Sequence, residues 1–406
     1  MTPRPYQIAG RNFLAARRHA LLADQMRVGK TPQSILAADV IKAERVLVLC
    51  PAIATVQWQS EWAAWSPQRP PAVIVGREPP RTEGVVISSY KRAVEQHLDA
   101  LTALPPWDVV IVDEAHFAKN PIAARTKAIY GKGGIGWNAH RLWALSGTPA
   151  PNHAGELWPM LKAFGTVKCS YTEFVQHYCY YDWAKGRVFG NKRQHLPELR
   201  KLLEQVVMRR TRAEVAPDMP PIGYSFLNVE PTKGVDLPSA NMDTVGAGDR
   251  IAVAMAKVPT LAAEIIQCLA AQDYEQTVVF GFHLAPLDEL REYLAAIGIS
   301  VGVITGATPN DERQRVMAAF RMGLLQVVLA QILAAGTAID LSAALHCYFL
   351  ELSWSPADNS QAASRLVNLQ TRAPVTADIV SWHGTVDDAV QRTLMRKTVG
   401  AVFGAG

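Results

Sequence analysis

Two short stretches of this 406-residue chain combine residue types suited to phosphate chemistry. The first, LLADQMRVGKTPQSI (residues 21–35), runs from a strand-like Leu21–Leu22 through Gly-Lys-Thr into a helical pattern. Gly29 lets backbone approach a phosphate with no Cβ in the way. Lys30 supplies a point charge for the β- and γ-phosphates, and Thr31 offers a hydroxyl to Mg²⁺. The helix start adds N–H donors and the positive end of its dipole. The general form of such a loop has a further glycine where this chain carries Asp24. The second stretch, VVIVDEAH, sets Asp113 and Glu114 directly after four apolar residues. At the end of a buried strand, the first carboxylate can meet Mg²⁺ and the second can polarise a water.

These groups need a scaffold, and the surrounding pattern supplies one. Continuous apolar runs at 45–50, 72–76, 84–89, 107–114 and 141–148 alternate with helical stretches such as Thr31–Lys42 and Thr55–Trp65. Continuous rather than alternating strands belong to parallel sheets covered on both faces, so the fold class is α/β, doubly wound. The rhythm restarts at 276–283 and continues to a strand near residue 380. Between the two, residues 150–225 read as mostly helical, followed by a looser Gly/Pro/Asp-rich stretch. The expectation is two domains, 1–225 and 226–406, with a basic helical protrusion at about 150–225 and a bracing helix, TVDDAVQRTLMRK, near the C-terminus.

Composition narrows the function classes. Hydrophobic residues make up 49% and charged residues 19%, a globular balance without wholesale disorder. The N-terminus does not read as a secretory signal, and no run of about 20 residues is continuously apolar, so no membrane span is expected. The five cysteines are scattered and form no C-x-x-C, the usage of a reduced, cytoplasmic protein. Cys169, His177, Cys179 and His195 fit no common zinc-finger spacing and read as ordinary side chains. The net charge of +5 hides an asymmetry: residues 1–225 carry +11 and residues 226–406 carry −6. Nine Lys and Arg against two Glu fall between Lys185 and Arg212, a density that favours contact with a polyanion.

With DEAH followed by SGTP at Ser146–Pro149 and a second α/β domain downstream, the chain resembles a superfamily-two helicase core. More narrowly, ADQMRVGKTPQSI is similar to the Swi/Snf-type loop, A-D-E-M-G-L-G-K-T-x-Q, which also has Asp at the position of Asp24. RPYQIAGRNFL, LVLCPAIATVQWQSEW, ISSYKRA, DEAHFAKN, LSGTPAPN, VMRRTRAEV, VVFGFH, AAGTAIDLSAA and WSPADNSQAASRLVNLQ resemble the family's further motifs, in order, over nearly the whole chain. The look is closest to the short annealing-helicase-like members. The resemblance implies two RecA-like lobes and an ATP-dependent, Mg²⁺-dependent translocase on double-stranded or forked DNA that moves along, remodels or anneals it. It implies that Gln7, with Arg4 and Tyr6, reads adenine. Gly29, Lys30, Thr31, Gly336 and Gln361 would bind nucleotide, with Thr31 and Asp113 on Mg²⁺. Lys30, Asp113, Glu114 and Arg365 would be catalytic. His116, Ser146, Gly147 and Thr148 would couple the nucleotide to DNA, and Pro51, Trp58, Ser88, Ser89, Tyr90 and Ser342 would face it. The other tryptophans read as packing.

The departures from the pattern are Gln25 and Arg27 in the loop, Ala338 in AAGTAID, and Asn368 and Leu369 where the last motif has its second arginine and a glycine. Three consequences stay open: slow turnover, substitution by Arg372, or an ATP-gated DNA-binding protein with little hydrolysis. An RNA helicase is a further alternative, against which the Swi/Snf-like spacing of the last two motifs argues. The chain is expected to act as a monomer, targeted by DNA structure or by a protein partner in trans.

Overall fold

The computed structural model describes residues 1–406 apart from 79, 81–82, 104, 183–185, 230–245, 336–338, 400–401 and 403–406. Two compact units emerge: Met1–Val215 with Val399–Gly406, and Ala216–Thr398.

The first unit runs α1 (Pro5–Ala15), β1 (His19–Leu22), α2 (Lys30–Val40), β2 (Arg45–Cys50), α3 (Thr55–Trp65), β3 (Val73–Ile74), β4 (Gly84–Ser89), α4 (Tyr90–Glu95), α5 (Leu98–Ala103), β5 (Val109–Asp113), α6 (Ala124–Tyr130), β6 (Leu142–Leu145), α7 (Trp158–Ala163), α8 (Tyr171–Tyr178), β7 (Cys179–Asp182), β8 (Arg187–Asn191), α9 (Leu196–Leu203), β9 (Val207–Met208) and α10 (Arg212–Val215). Seven strands form one parallel sheet in the order β3-β4-β2-β5-β6-β1-β9. β2 and β5 are almost wholly buried, which explains why their sequences are apolar without alternation. Trp62, Trp107 and Trp143 fill this lobe, each at most 1% exposed, whereas Trp137 is 66% exposed and does not pack as expected. Because all seven strands run the same way, the residues that follow β1, β2, β4, β5 and β6 gather at one edge, where ligands bind in such sheets.

The protrusion is not purely helical. β7 and β8 pair as an antiparallel hairpin between α8 and α9. Ser170 caps α8: its hydroxyl accepts from the Glu173 N–H, and the Glu173 carboxylate accepts from the Ser170 N–H at 2.7 Å. Val402 belongs to this unit's core, and its carbonyl accepts from Arg200.

The second unit runs β10 (Ile222–Asn228), α11 (Ala247–Ala271), β11 (Thr277–Gly281), α12 (Leu284–Ala296), β12 (Val301–Ile304), α13 (Asn310–Arg321), β13 (Val327–Gln331), α14 (Ile332–Ala335), β14 (His346–Phe349), α15 (Pro356–Ala363), β15 (Val375–Ser381) and α16 (Val386–Val399). Its six strands are also all parallel, in the order β10-β15-β14-β11-β13-β12. The expected boundary at 225/226 falls inside β10. The whole of that strand pairs with β15, so the division lies at Val215/Ala216 instead.

By length and composition α11 could cross a membrane. It packs as a core helix, with Val258, Leu261, Ala262 and Ile265 in the hydrophobic core of the lobe. Its Lys257, 1% exposed, donates to the Val380 carbonyl and to Asp387 of α16, both at 2.9 Å. That buried ion pair fastens the expected bracing helix to the lobe.

Candidate active site

The loop after β1 is built around Asp24, which is fully buried. Arg210, from the segment after β9, grips its two carboxylate oxygens at 3.0 and 2.5 Å, and Gln33 Nε2 donates to Oδ2 at 3.3 Å. Arg210 also donates to the Tyr6 carbonyl and to Gln33 Oε1 at 2.7 and 2.8 Å. One guanidinium thus joins α1, the loop and α2. Asp24 replaces a glycine in order to anchor the loop, not to meet phosphate. Gln33 lies so close to α1 that a Cβ on Gly10 would sit 1.7 Å from its Oε1. Neither Arg210 nor Gln33 stood out as a site residue in the sequence, since their partner Asp24 is remote from Arg210 along the chain.

Gly29 takes φ +74°, and a Cβ there would lie 2.6 Å from Gln7 Nε2. The other end of the Gln7 amide accepts from the Arg4 N–H at 2.9 Å and so caps α1. Gln7, 3% exposed, therefore links Arg4 to the phosphate loop, while the ring of Tyr6 lies under Arg210. Lys30 Nζ donates to the carbonyls of Asp24 and Gln25 at 2.9 and 3.2 Å. Thr31 follows in the first turn of α2. Arg27 holds φ +66°, a left-handed conformation, where the resembling loops have glycine.

Asp113 ends β5, and Glu114 turns the chain with φ +50°. The Asp113 carboxyl is pushed up to about 6 by burial and then by the charge of Glu114; the indole of Trp58 and the charge of Lys30 pull the other way. His116 Nδ1 lies 3.3 Å from Glu114 Oε2 and 3.1 Å from Ser146 Oγ. Ser146 Oγ accepts in turn from the Thr148 N–H at 3.2 Å, and the Gly147 carbonyl takes a bond from Arg209. The four residues expected to couple the site are therefore one connected chain starting at Glu114. A further residue, missed in the sequence, ties the same motifs together: Glu156 accepts from Asn152 N–H and Nδ2 at 2.9 and 2.7 Å and pairs with Lys119 at 2.8 Å.

Several residues expected to face DNA are instead internal. Trp58 is 2% exposed, and its Nε1 donates to Asp113 Oδ2 at 2.8 Å. Tyr90, 4% exposed, donates to the Asp113 carbonyl. Ser88 is fully buried, and Ser89 caps α4 by accepting from the Arg92 N–H. Trp58 and Tyr90 build the wall behind Asp113, and all four, buried, offer little surface to a polyanion. Pro51 and Ser342 remain half-buried.

The basic tract divides as well. Arg209 and Arg210 are spent inside the lobe, on Ala23, Gly147, Tyr6, Asp24 and Gln33. Arg187, Arg193, Arg200 and Lys201 are exposed, beside a hairpin carrying Tyr180 and Phe189 stacked at 5.7 Å, both exposed. Lys185 lies outside the described residues.

In the second lobe, Gly336 lies outside the described residues. Gln361 on α15 and Arg365 in the turn after it are buried, at 7% and 9% exposed. The Arg365 carbonyl accepts from the Leu341 N–H at 3.0 Å. Asn368 Nδ2 donates to Ser342 Oγ at 2.7 Å, and its Oδ1 accepts from the Gln370 and Thr371 N–H groups. It closes an Asx turn and links the last two motifs. Arg372 directs Nη1 to the Leu369 and Thr371 carbonyls of its own loop.

Two parallel α/β lobes, a lysine-bearing loop at a helix start and an Asp-Glu pair at a strand end define a two-lobed, helicase-like core. Residues 6–235 match the SNF2-related domain and residues 258–369 match the helicase conserved C-terminal domain. The chain belongs to the SNF2-related family. Over 97% of its length it is 30% identical to the DNA annealing helicase and endonuclease ZRANB3 of Mus musculus, covering 40% of that protein. It is 29% identical to the SWI/SNF-related matrix-associated actin-dependent regulator of chromatin subfamily A-like protein 1 of Bos taurus, covering 44%. The chain thus spans about two fifths of the curated relatives it matches. The structure of the Sulfolobus solfataricus SWI2/SNF2 ATPase core in complex with dsDNA aligns over 100% of this chain and 94% of that one, with a TM-score of 0.49 and 20% identity.

Proposed function

We propose that this protein is a DNA-dependent ATPase that translocates on duplex DNA and remodels or anneals forked DNA. The observation that carries the reading is the chain Glu114–His116–Ser146–Thr148, which joins a water-activating carboxylate to the turn after β6.

The donor set of lobe one fits a nucleoside triphosphate with Mg²⁺. Gly29 holds a left-handed turn with no room for a Cβ beside Gln7, Lys30 stands on α2's first turn, and Asp113 is a half-buried carboxylate beside a second one. Mg²⁺ held by Thr31 and Asp113 supplies charge neutralisation at the phosphates when bound. Lys30 exchanges its two loop carbonyls for phosphate oxygens. Glu114 orients a water and takes its proton. His116, in contact with both Glu114 and Ser146, transmits a change at the carboxylate to the Ser146–Thr148 turn. Arg365 is the arginine of the second lobe assigned to the γ-phosphate. Gln7, with Arg4 and Tyr6, is proposed to read the base, and its amide lies beside the loop, 2.6 Å from where a Cβ on Gly29 would stand. The exposed Arg187, Arg193, Arg200 and Lys201, with the Tyr180–Phe189 pair, suit phosphates and unstacked bases.

A second reading, an ATP-gated DNA-binding protein with little turnover, is favoured by one observation. The Asn368 amide is committed to Ser342 and its own turn, so the position of the second arginine carries no cation, and the nearby Arg372 rests its Nη1 on its own loop. Phosphate release measured with no nucleic acid, single-stranded, duplex and forked DNA, and RNA separates the readings. The translocase reading expects stimulation by duplex or forked DNA. DNA binding with no release selects the gated binder, and preferential stimulation by RNA selects an RNA helicase.

A further inference from the structure

The structure brings together three ligand-bearing side chains that the nucleotide chemistry does not use. His177 is in the last turn of α8, His195 immediately precedes α9, and Glu198 lies in the first turn of α9. His177 Nε2 is 2.9 Å from Glu198 Oε2, and His195 Nδ1 is 4.0 Å from the same oxygen. The two imidazole centroids are 4.3 Å apart, and the three ligand atoms all lie within 4.8 Å of one another. Among the described residues, no other group of three or more His, Cys and carboxylate side chains is as close. Cys169 and Cys179, which the sequence grouped with these histidines, are not members: Cys179 is buried with Sγ against Asn191.

From this geometry we propose that His177, His195 and Glu198 form a binding site for a late first-row divalent cation of the Zn²⁺ class, which staples α8 to α9 at the root of the β7–β8 hairpin. Tetrahedral zinc with bonds of about 2.0–2.2 Å needs ligand atoms roughly 3.3 Å apart, a value bracketed by the 2.9 and 4.0 Å separations seen here. Two imidazoles and one carboxylate suit Zn²⁺, Co²⁺ or Ni²⁺ better than Mg²⁺ or Ca²⁺, which prefer oxygen ligands. The side chains are 44%, 32% and 60% exposed, so each has room to move the last ångström, and water can take the fourth position.

The scaffold beneath them is fixed. Phe174, Val175 and Tyr178 bury α8, while Leu196, Leu199 and Leu203 bury α9. Tyr178 donates to Glu198 Oε1 at 3.0 Å, which leaves Oε2 aimed at the two histidines. An outer hydrogen bond of this kind orients a ligand carboxylate. A cation here would replace the present His177–Glu198 bond and hold the two helices through three side chains.

The test uses the full chain, stripped with a chelator and titrated with Co²⁺ while its visible d–d absorption is followed, with Zn²⁺ as competitor. One saturable equivalent that Zn²⁺ displaces is expected. His177→Ala and His195→Ala should each weaken binding by more than about tenfold, and Tyr178→Phe by about tenfold. Asp113→Asn, at the end of β5 and not a member of this cluster, should leave the titration unchanged. Zn²⁺ should raise the melting temperature of the parent chain and not that of His177→Ala. Circular dichroism checks that each variant is folded. No saturable binding, or equal affinity in folded His177→Ala and His195→Ala variants, would overturn the proposal.

Discussion

Trp58 donates its indole N–H to Oδ2 of Asp113 at 2.8 Å from a position 2% exposed to solvent. A residue that reads as DNA-facing in the sequence is therefore an outer support of the proposed Mg²⁺ ligand. Trp58→Phe keeps most of the ring volume and removes the donor. Hydrogen bonds to charged groups are worth about 1.5–3 kcal/mol, so ATPase kcat/KM should fall roughly ten- to hundredfold, with a higher Mg²⁺ requirement and a folded chain. A fall in DNA affinity with unchanged basal ATPase would instead return Trp58 to the DNA surface.

The Asp24–Arg210 pair predicts an outcome opposite to simple motif repair. Restoring the generic glycine, Asp24→Gly, should weaken the protein, because the loop loses its anchor to α1 and to the end of lobe one. Removing one partner of a buried pair typically costs about 3–5 kcal/mol. Arg210→Met should cost more than Asp24→Gly, since Asp24 is fully buried and the Arg210 side chain is 17% exposed. Urea midpoints for the two variants check both the size and the order.

Asn368 illustrates how structure changes a sequence-based expectation. As a missing arginine, it invites Asn368→Arg to raise turnover. As the closer of an Asx turn bonded to Ser342, it makes that substitution disruptive. The expected result is a lower melting temperature with no gain in DNA-stimulated ATPase. A clear gain would show that the last motif limits turnover.

Glu156 gives lobe one an acid-sensitive joint. Burial raises its pKa, but the Lys119 charge, His153 and the Asn152 hydrogen bond together outweigh burial and hold it below the ordinary 4.5. A carboxyl depressed in the folded state stabilises it above the unfolded value, and that contribution is lost as pH falls below about 4.5 through the folded pKa. Glu156→Gln should flatten the fall in stability on acidification over that window, as read by urea midpoints from pH 6 downward. An unchanged slope would remove Glu156 from the account.

Much of the fold was legible because both lobes use fully buried parallel strands, whose apolar runs stand out without alternation. The loop and the Asp-Glu pair were legible because phosphate and Mg²⁺ restrict which residues can stand there. Other features depend on contacts remote in sequence. Arg210 meets Asp24 across most of the lobe's sequence, and Trp58 reaches Asp113 at the end of β5 from α3. The β7–β8 hairpin was hidden because its short strands sit in a helical, basic tract. β10 was cut by the expected boundary because its partner, β15, lies near the other end of the chain.

The central claim is that ATP is hydrolysed in lobe one and that DNA drives the turnover. The most direct measurement is phosphate release by the full chain and by Lys30→Ala, each with and without forked or duplex DNA. The account predicts DNA-stimulated release in the parent chain and none above background in Lys30→Ala. Release that ignores DNA, or that persists in folded Lys30→Ala, would contradict it.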